Sequence, residues 1–276
     1  MIESDDPRRA PPRLRQNRTV RTFPLSSTPR LRDAVRHELR RRRLTVVARQ
    51  EIAPPLVRIT LGGEDLHGFA SLGPEDHVKL FFETPDGVVG RDYTPSEFRP
   101  LGASSGPELD IDFVVHGTDG PATAWASTSA EGDELEIGGP RGSRLAPVGF
   151  RTALLIADPA GLPALRRWIR AFGGDPITRV VLFGGASLEY LDEGEQAAAI
   201  VQVLEPGHDL LETVQAQDVD GDTFAWAAGE AAALIPVRRH LKSQGLPKEN
   251  LSLHGYWKRG EAGLDHHAPL DPADPD

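Results

Sequence analysis

Arg91-Asp92-Tyr93-Thr94-Pro95 follows the run His77-Val78-Lys79-Leu80-Phe81-Phe82 and a turn at Gly87. It sets a guanidinium, a phenol ring and a hydroxyl at positions i, i+2 and i+3. Arg91 can hold a phosphate through a bidentate, charge-assisted contact. Tyr93 can lay its ring along a ligand, and Thr94 can hydrogen-bond a ligand's edge. A strand end with a half-buried tyrosine and a surface arginine would carry the same residues. The flanking chain decides between the two readings.

Residues 44–50 and 57–61 are β-branched runs joined at the turn signal Ala53-Pro54-Pro55. Leu109, Ile111, Phe113 and Val115 alternate with Asp110, Asp112, Val114 and His116, a period of two that predicts a strand with one buried face. Residues 134–137 read as another strand. Short strands between Gly and Pro turns predict a small antiparallel six-stranded β-barrel over residues 42–145. The pattern changes after Gly138-Gly139-Pro140-Arg141-Gly142-Ser143. Residues 152–157 form a continuous apolar run, followed by a helical pattern over 162–171. Strands at 180–183, 199–204, 223–227 and 251–256 then alternate with helices near 193–198, 210–217 and 231–243. That alternation predicts a parallel α/β domain over residues 146–262, covered on both faces. The expected architecture is therefore α+β in two domains, barrel first and nucleotide-binding-type α/β sheet second.

Before the barrel, residues 1–28 read as an Arg- and Pro-rich arm. Leu31, Val35 and Leu39 recur every four residues and predict a short helix, so that residues 1–41 form a basic arm and helix. The run Arg40-Arg41-Arg42-Arg43 closes it, read as solvated arginines or as a patch for membrane or nucleic acid. Residues 263–276, rich in Asp and Pro, are expected to form a disordered tail, and its pair His266-His267 could suggest a metal site.

The 276 residues leave room for two domains. With no cysteine there is no disulfide, no cysteine-held zinc and no iron–sulfur cluster, so redox chemistry would need a bound organic cofactor or a metal on other ligands. Residues 1–43 hold 13 arginines against 5 acids, a balance of +8. The remainder holds 18 basic and 36 acidic residues, a balance of −18, which argues against a dedicated nucleic-acid binder. The sequence has no apolar run of membrane-spanning length and no visible signal peptide, which predicts a cytoplasmic protein.

The segment from His116 to Ala126 joins a strand to an expected helix. Its glycines let a backbone approach a ligand closely, and Thr123 with the free amides at the helix start can receive a pyrophosphate. A barrel with two anion-ready turns, followed by a parallel α/β unit, points to a flavin. The ordered set Asp112-Phe113-Val114-Val115-His116-Gly117, Gly120-Pro121-Ala122, Trp125-Ala126, Gly139-Pro140-Arg141-Gly142-Ser143, Trp226-Ala227-Ala228-Gly229-Glu230 and Gly255-Tyr256-Trp257-Lys258-Arg259-Gly260 resembles the siderophore-interacting protein family, within the ferredoxin-reductase-like superfamily.

The resemblance implies FAD on the barrel, held by Arg91, Tyr93, Thr94, His116, Gly117, Gly120, Pro121, Ala122, Thr123 and Trp125. It implies reduction of a ferric siderophore with NADH or NADPH, ferredoxin being an alternative donor. Asp158 and Glu230 become nicotinamide candidates, Glu230 being equally readable as a helix-start acid. Lys79, Lys258 and Arg259 become attractors for an anionic chelate. Two departures stand out. Ser96 replaces the arginine that usually ends the Tyr-Thr-x-Arg pattern, a loss that Arg99 could make good. Ala157-Asp158-Pro159-Ala160-Gly161-Leu162-Pro163-Ala164 lacks the usual Glu and Thr. These departures keep open a flavin- or siderophore-binding module of the same fold without reductase activity.

Overall fold

The computed structural model describes residues 32–103, 106–115, 120–264 and 268–275. The first domain comprises β1 (Ala34–Arg36), β2 (Arg41–Glu51), β3 (Leu56–Gly62), β4 (Val78–Thr84), β5 (Gly87–Tyr93), β6 (Pro95–Arg99), β7 (Glu108–Val114), helix α1 (Pro121–Thr128), β8 (Glu134–Gly138) and β9 (Gly142–Arg144). Seven of these strands form one curled sheet in the order β5-β4-β8-β2-β3-β7-β6, with every pairing antiparallel. The count exceeds the expected six, and β5 and β6 are open edges. The chain crosses from one edge to the other through Thr94 alone. Pro95, which cannot donate to a ladder, opens the edge strand β6.

Leu44, Ile59, Leu80, Leu109, Phe113 and Ile137 fill the curl. The polar face of β7, expected to meet water, is buried as well: Asp110 and Asp112 are 3% and 4% exposed. Arg58 grips Asp112 at 2.7 and 2.8 Å, and Arg99 grips Asp110 at 2.7 and 2.8 Å. Alternation alone could not show that this face meets a second domain. Tyr190 of that domain donates to Asp112, and Ser96 donates to the same carboxylate at 2.7 Å.

The helix expected around residues 31–39 is replaced by β1, which pairs with β9. Val35 and Leu39 are exposed, so their four-residue spacing finds no apolar partner to stabilise a helix. Strand pairing satisfies the backbone instead. Gly142 permits the approach, because a Cβ there would lie 2.7 Å from the Val35 carbonyl. Residues 1–31 lie outside the described residues.

The second domain runs β10 (Thr152–Ala157), α2 (Leu162–Phe172), β11 (Ile177–Leu182), α3 (Glu193–Ala197), β12 (Ala199–Val203), α4 (Leu210–Gln215), β13 (Thr223–Glu230), α5 (Ala231–Ser243) and β14 (Leu251–Trp257). Its five strands are all parallel, in the order β12-β11-β10-β13-β14. Successive residues of β10 serve opposite faces. Ala153, Leu155 and Ala157 join Trp168 of α2, and Leu154 and Ile156 join Leu234, Val237 and Leu241 of α5. The unbroken apolar run of β10 is the signature of such a doubly covered strand.

Residues 268–275, expected to be disordered, dock on α5. Arg239 holds Asp271 at 2.6 and 3.0 Å, while Arg238 and Lys242 meet Asp274 at 2.9 and 2.5 Å. The acids of this segment match a basic stripe on one helix face, a pairing that composition does not reveal. His266 and His267 lie outside the described residues.

The two domains are joined by polar contacts. Arg167 of α2 donates to Ser71 Oγ (2.9 Å) and to the carbonyls of Pro95 (2.6 Å), Ser71 (2.9 Å) and Gly73 (2.7 Å). Arg32 lies over the Trp168 ring and pairs with Glu75, which also accepts from Ser252 at 3.1 Å. Burial alone would raise the Glu75 carboxyl, but His254 and Arg32 bring it down to about 2. Arg167→Met would strand buried carbonyls, and unfolding in urea is expected to show a loss of about 2–4 kcal/mol. A change below about 0.5 kcal/mol would mean the clamp contributes nothing beyond an ordinary surface substitution.

Candidate functional site

Tyr93 ends β5 opposite Val78 and lays its ring on Phe113 at a centroid distance of 4.6 Å. Phe113 also touches Trp125 of α1 at 5.7 Å, and Trp125 touches Phe82 at 5.8 Å. This row of rings brings the 91–94 stretch and the start of α1 to one wall of the barrel. Trp125 thus acts as packing that locates the helix. Gly120 adopts φ of 103°, a conformation open to glycine, and offers α1 no side-chain cap. Pro121 has no N–H, and the first helical amide to find a partner is that of Ala124, on the Gly120 carbonyl at 3.0 Å. Among the described residues the amides of Ala122 and Thr123 have no acceptor, as the first turn of a helix leaves them. His116 and Gly117 lie outside the described residues.

Arg91 donates to its neighbour's carbonyl at Gly90, 2.8 Å away, and among the described residues it pairs with no acid. The chain beyond β14 returns to it: a Cβ on Gly263 would stand 3.6 Å from the guanidinium carbon. Thr94 is 7% exposed, and its hydroxyl acts on the Tyr256 phenol of β14, opposing the effect of burial there. Burial pushes the Tyr256 hydroxyl well above the usual phenol range, so it keeps its proton. Tyr93 is raised likewise by burial. Ser96 faces the domain seam, 2.7 Å from Asp112 and 3.2 Å from the Tyr190 hydroxyl. Arg99, the expected substitute for the missing arginine, is committed to Asp110 and Glu108.

Strand order reverses between β10 and β13, and ligands of open α/β sheets bind in the crevice outside such a reversal. Asp158 lies there, 1% exposed. Its Oδ1 accepts the amides of Ala160 (2.9 Å) and Gly161 (3.2 Å), capping the 3-10 turn Pro159–Gly161. Its Oδ2 accepts the Glu230 amide (2.9 Å) and the Trp257 indole N–H (2.7 Å). Asp158 therefore ties three strand ends together and does not face a ligand. Gly229 makes room for it, since a Cβ there would lie 2.6 Å from the Asp158 carboxyl carbon. Burial pushes the carboxyl up to about 6, against the pull of its four hydrogen-bond donors.

Glu230 caps α5 through the Ala233 amide at 2.7 Å and also accepts the Arg259 amide at 3.3 Å. Of its two sequence readings, the helix-start acid is the one its contacts serve. Lys79 pairs with Asp92 at 2.8 Å, and Lys258 with Glu261 at 2.7 Å. Arg259 is exposed, and among the described residues its guanidinium meets no acid. Sequence reasoning missed Tyr256, Trp257 and Arg167. The first two were quoted within Gly255–Gly260, and their available signal was two hydrogen-bonding aromatics at the end of a sheet strand. Among the described residues no cluster of His, Asp or Glu could hold a metal ion.

Two family profiles match in chain order. The siderophore-interacting FAD-binding domain matches residues 45–90 and 86–144, and the siderophore-interacting protein profile matches residues 150–260. The NADPH-dependent ferric-chelate reductase of Escherichia coli K12 is 31% identical, over 84% of this chain and 99% of its own length. The ferric vibriobactin reductase ViuB of Vibrio cholerae is 25% identical over 82% of this chain and 92% of its own length. The crystal structure of a siderophore utilization protein from T. fusca is 35% identical and superposes with a TM-score of 0.75, covering 86% of this chain and all of that one. A flavin-type barrel fused to a parallel α/β sheet is the class these features define. The chain belongs to the siderophore-interacting protein family.

The barrel fits FAD by its own geometry. Among the described residues the start of α1 has no side-chain cap and Arg91 no acid partner, which suits a pyrophosphate, and Tyr93 and Trp125 link the two through Phe113.

Asp158 gives a pH test with a definite sign. Its carboxyl binds a proton more readily in the folded state, at about 6, than at its ordinary value of 3.8. Its contribution to stability therefore falls as pH rises through that window. The stability of the wild type relative to Asp158→Asn, from urea unfolding at several pH values, should decline between pH 4 and 6 and level off above. A difference that is flat across this range would show the carboxyl to be unperturbed.

Proposed function

We propose that this chain is an FAD-dependent reductase of ferric siderophores that takes electrons from NADPH or NADH and works in the cytoplasm. The observation that carries the reading is the bond from Arg167 of α2 to the Pro95 carbonyl, 2.6 Å long and next to Thr94. It supports a seam where the barrel stretch after Arg91 and Tyr93 meets the α/β domain. A cofactor seated on one domain and a nucleotide seated on the other would then meet at a single seam. The reductase names of the Escherichia coli and Vibrio relatives agree with this.

Arg91 and the amides at the start of α1 are assigned to the FAD phosphates, and Tyr93 to the planar or ribityl part. Thr94, buried at the seam, is assigned to the flavin's edge. Bound FAD supplies what the side chains lack, a centre that accepts a hydride and releases electrons singly to Fe(III), whose reduced form is held less tightly by hard oxygen donors. Glu230 and Asp158 hold the sheet edge in shape for the nicotinamide, without touching it themselves. Asp158 is fully used in that task, which leaves the edge with fewer ligand-facing groups and favours a reduced ferredoxin as a second donor.

Attraction of an anionic chelate falls mainly to Arg259. Lys79 and Lys258 are each neutralised by a neighbouring acid, so their long-range field is weak.

Anaerobic visible spectra of the FAD-loaded protein test the proposal. NADPH, NADH or reduced ferredoxin should bleach the flavin, and a ferric triscatecholate should restore its colour. No bleaching by any donor would leave a binding module of the same fold. In the same assay Arg259→Glu should raise KM for the anionic chelate several-fold with little change in kcat. Lys79→Glu and Lys258→Glu should do less, and added salt should shrink each effect. Equal losses with a neutral chelate would contradict a charge-based role.

A further inference from the structure

A cavity of about 210 Å³ opens where the chain enters β2, lined by Arg36, His37, Glu38, Arg40, Arg42 and Pro140. Three guanidinium groups and an imidazole thus share one space with a single carboxylate. None of these residues belongs to the flavin wall or to the sheet crevice.

Arg42 is the informative member, being 4% exposed. Its Nε donates to the Asp65 carbonyl at 3.0 Å, and its Nη1 to the carbonyls of Gly139 at 2.9 Å and Arg40 at 3.4 Å. The guanidinium also lies over the Phe69 ring, 5.3 Å from its centroid. All of these partners are neutral. The nearby Asp65 carboxylate accepts the Arg43 amide at 3.0 Å, and no acid forms an ion pair with Arg42 among the described residues. Burial weakens the guanidinium's hold on its proton, and the charge of Arg40 adds to this, with Asp65 and Glu38 opposing. The Nη2 of Arg42 has no hydrogen-bond acceptor among the described residues, which leaves it for an anion entering the cavity.

His37 borders the same cavity, and its ring is held from behind. Ser143 Oγ donates to Asp76 at 2.5 Å and accepts the Leu72 amide at 3.0 Å. The His37 Nε2 contact to that oxygen, 2.7 Å long, must then be a donation.

We propose that this cavity binds a small polyvalent oxyanion of the phosphate or polycarboxylate class. Arg42 forms its floor, and the exposed Arg36 and Arg40 close over the ligand.

Isothermal titration of the FAD-loaded protein tests this, because the flavin's own phosphate contacts are then filled. Inorganic phosphate and citrate are titrated separately at constant chloride. Saturable one-site binding is expected with at least one of them, and the responding probe identifies the class. The double variant Arg36→Ala/Arg40→Ala should weaken it by about tenfold or more, since charge-assisted hydrogen bonds are the strong ones. Both residues are exposed, so the test does not depend on whether Arg42→Gln folds. Arg151→Ala, a surface arginine paired with Asp220, serves as the control. Absence of saturable binding, equal affinity in the double variant, or an equal loss in the control would overturn the proposal.

Discussion

The guanidinium of Arg167 sets the relation between the two domains. It projects from α2 into the loop and strand start of the barrel, where it donates to Ser71, Gly73 and Pro95. A buried arginine satisfied by carbonyls fixes direction as well as distance, because its planar fork accepts few geometries. The Pro95 carbonyl immediately follows Thr94, so the clamp closes beside the one residue that links the sheet's two edges. Tyr256, on which the Thr94 hydroxyl acts, and the Asp112–Ser96–Tyr190 cluster lie along the same seam.

That seam explains how this chain departs from the pattern of its family without losing the architecture. With serine at position 96, the Tyr190 hydroxyl and Arg58 reach Asp112, and an ion-pair belt occupies the polar face of β7. At the altered turn after β10, Asp158 gathers four donors, and Gly229 leaves the space for its carboxyl. In this chain both positions serve contacts that hold the domains and strand ends. Arg91 and the start of α1, the groups proposed to hold the FAD phosphates, take no part in either set of contacts.

Much of this was legible in the residues. The unbroken run of β10, the alternation in β7 and the Gly/Pro turns between them located both sheets, because burial on two faces, on one face and at turns leaves different periodicities. Arg91, Tyr93 and the Gly120-Pro121 helix start were likewise visible as local chemistry. What escaped depended on contacts distant in sequence. Val35 and Leu39 carry a helical spacing, yet pairing with Gly142–Arg144 made that segment a strand. Asp110 and Asp112 look like a solvent face until Arg58, Arg99 and Tyr190 are brought to them. The acids at 271 and 274 look like a disordered tail until α5 presents Arg238, Arg239 and Lys242. Asp158 looked like a ligand contact because sequence position shows nearness to the crevice but not which way a carboxyl is turned.

The central claim is that FAD sits on the barrel wall with its phosphates on Arg91 and the start of α1. The most direct test is a titration of flavin-free protein with FAD, followed by quenching of flavin fluorescence, in wild type and Arg91→Ala. Loss of a charged contact costs about 1.5–3 kcal/mol, so the variant should bind FAD at least about tenfold more weakly while keeping its fold. Equal affinity in the two proteins would place the flavin elsewhere and contradict the account.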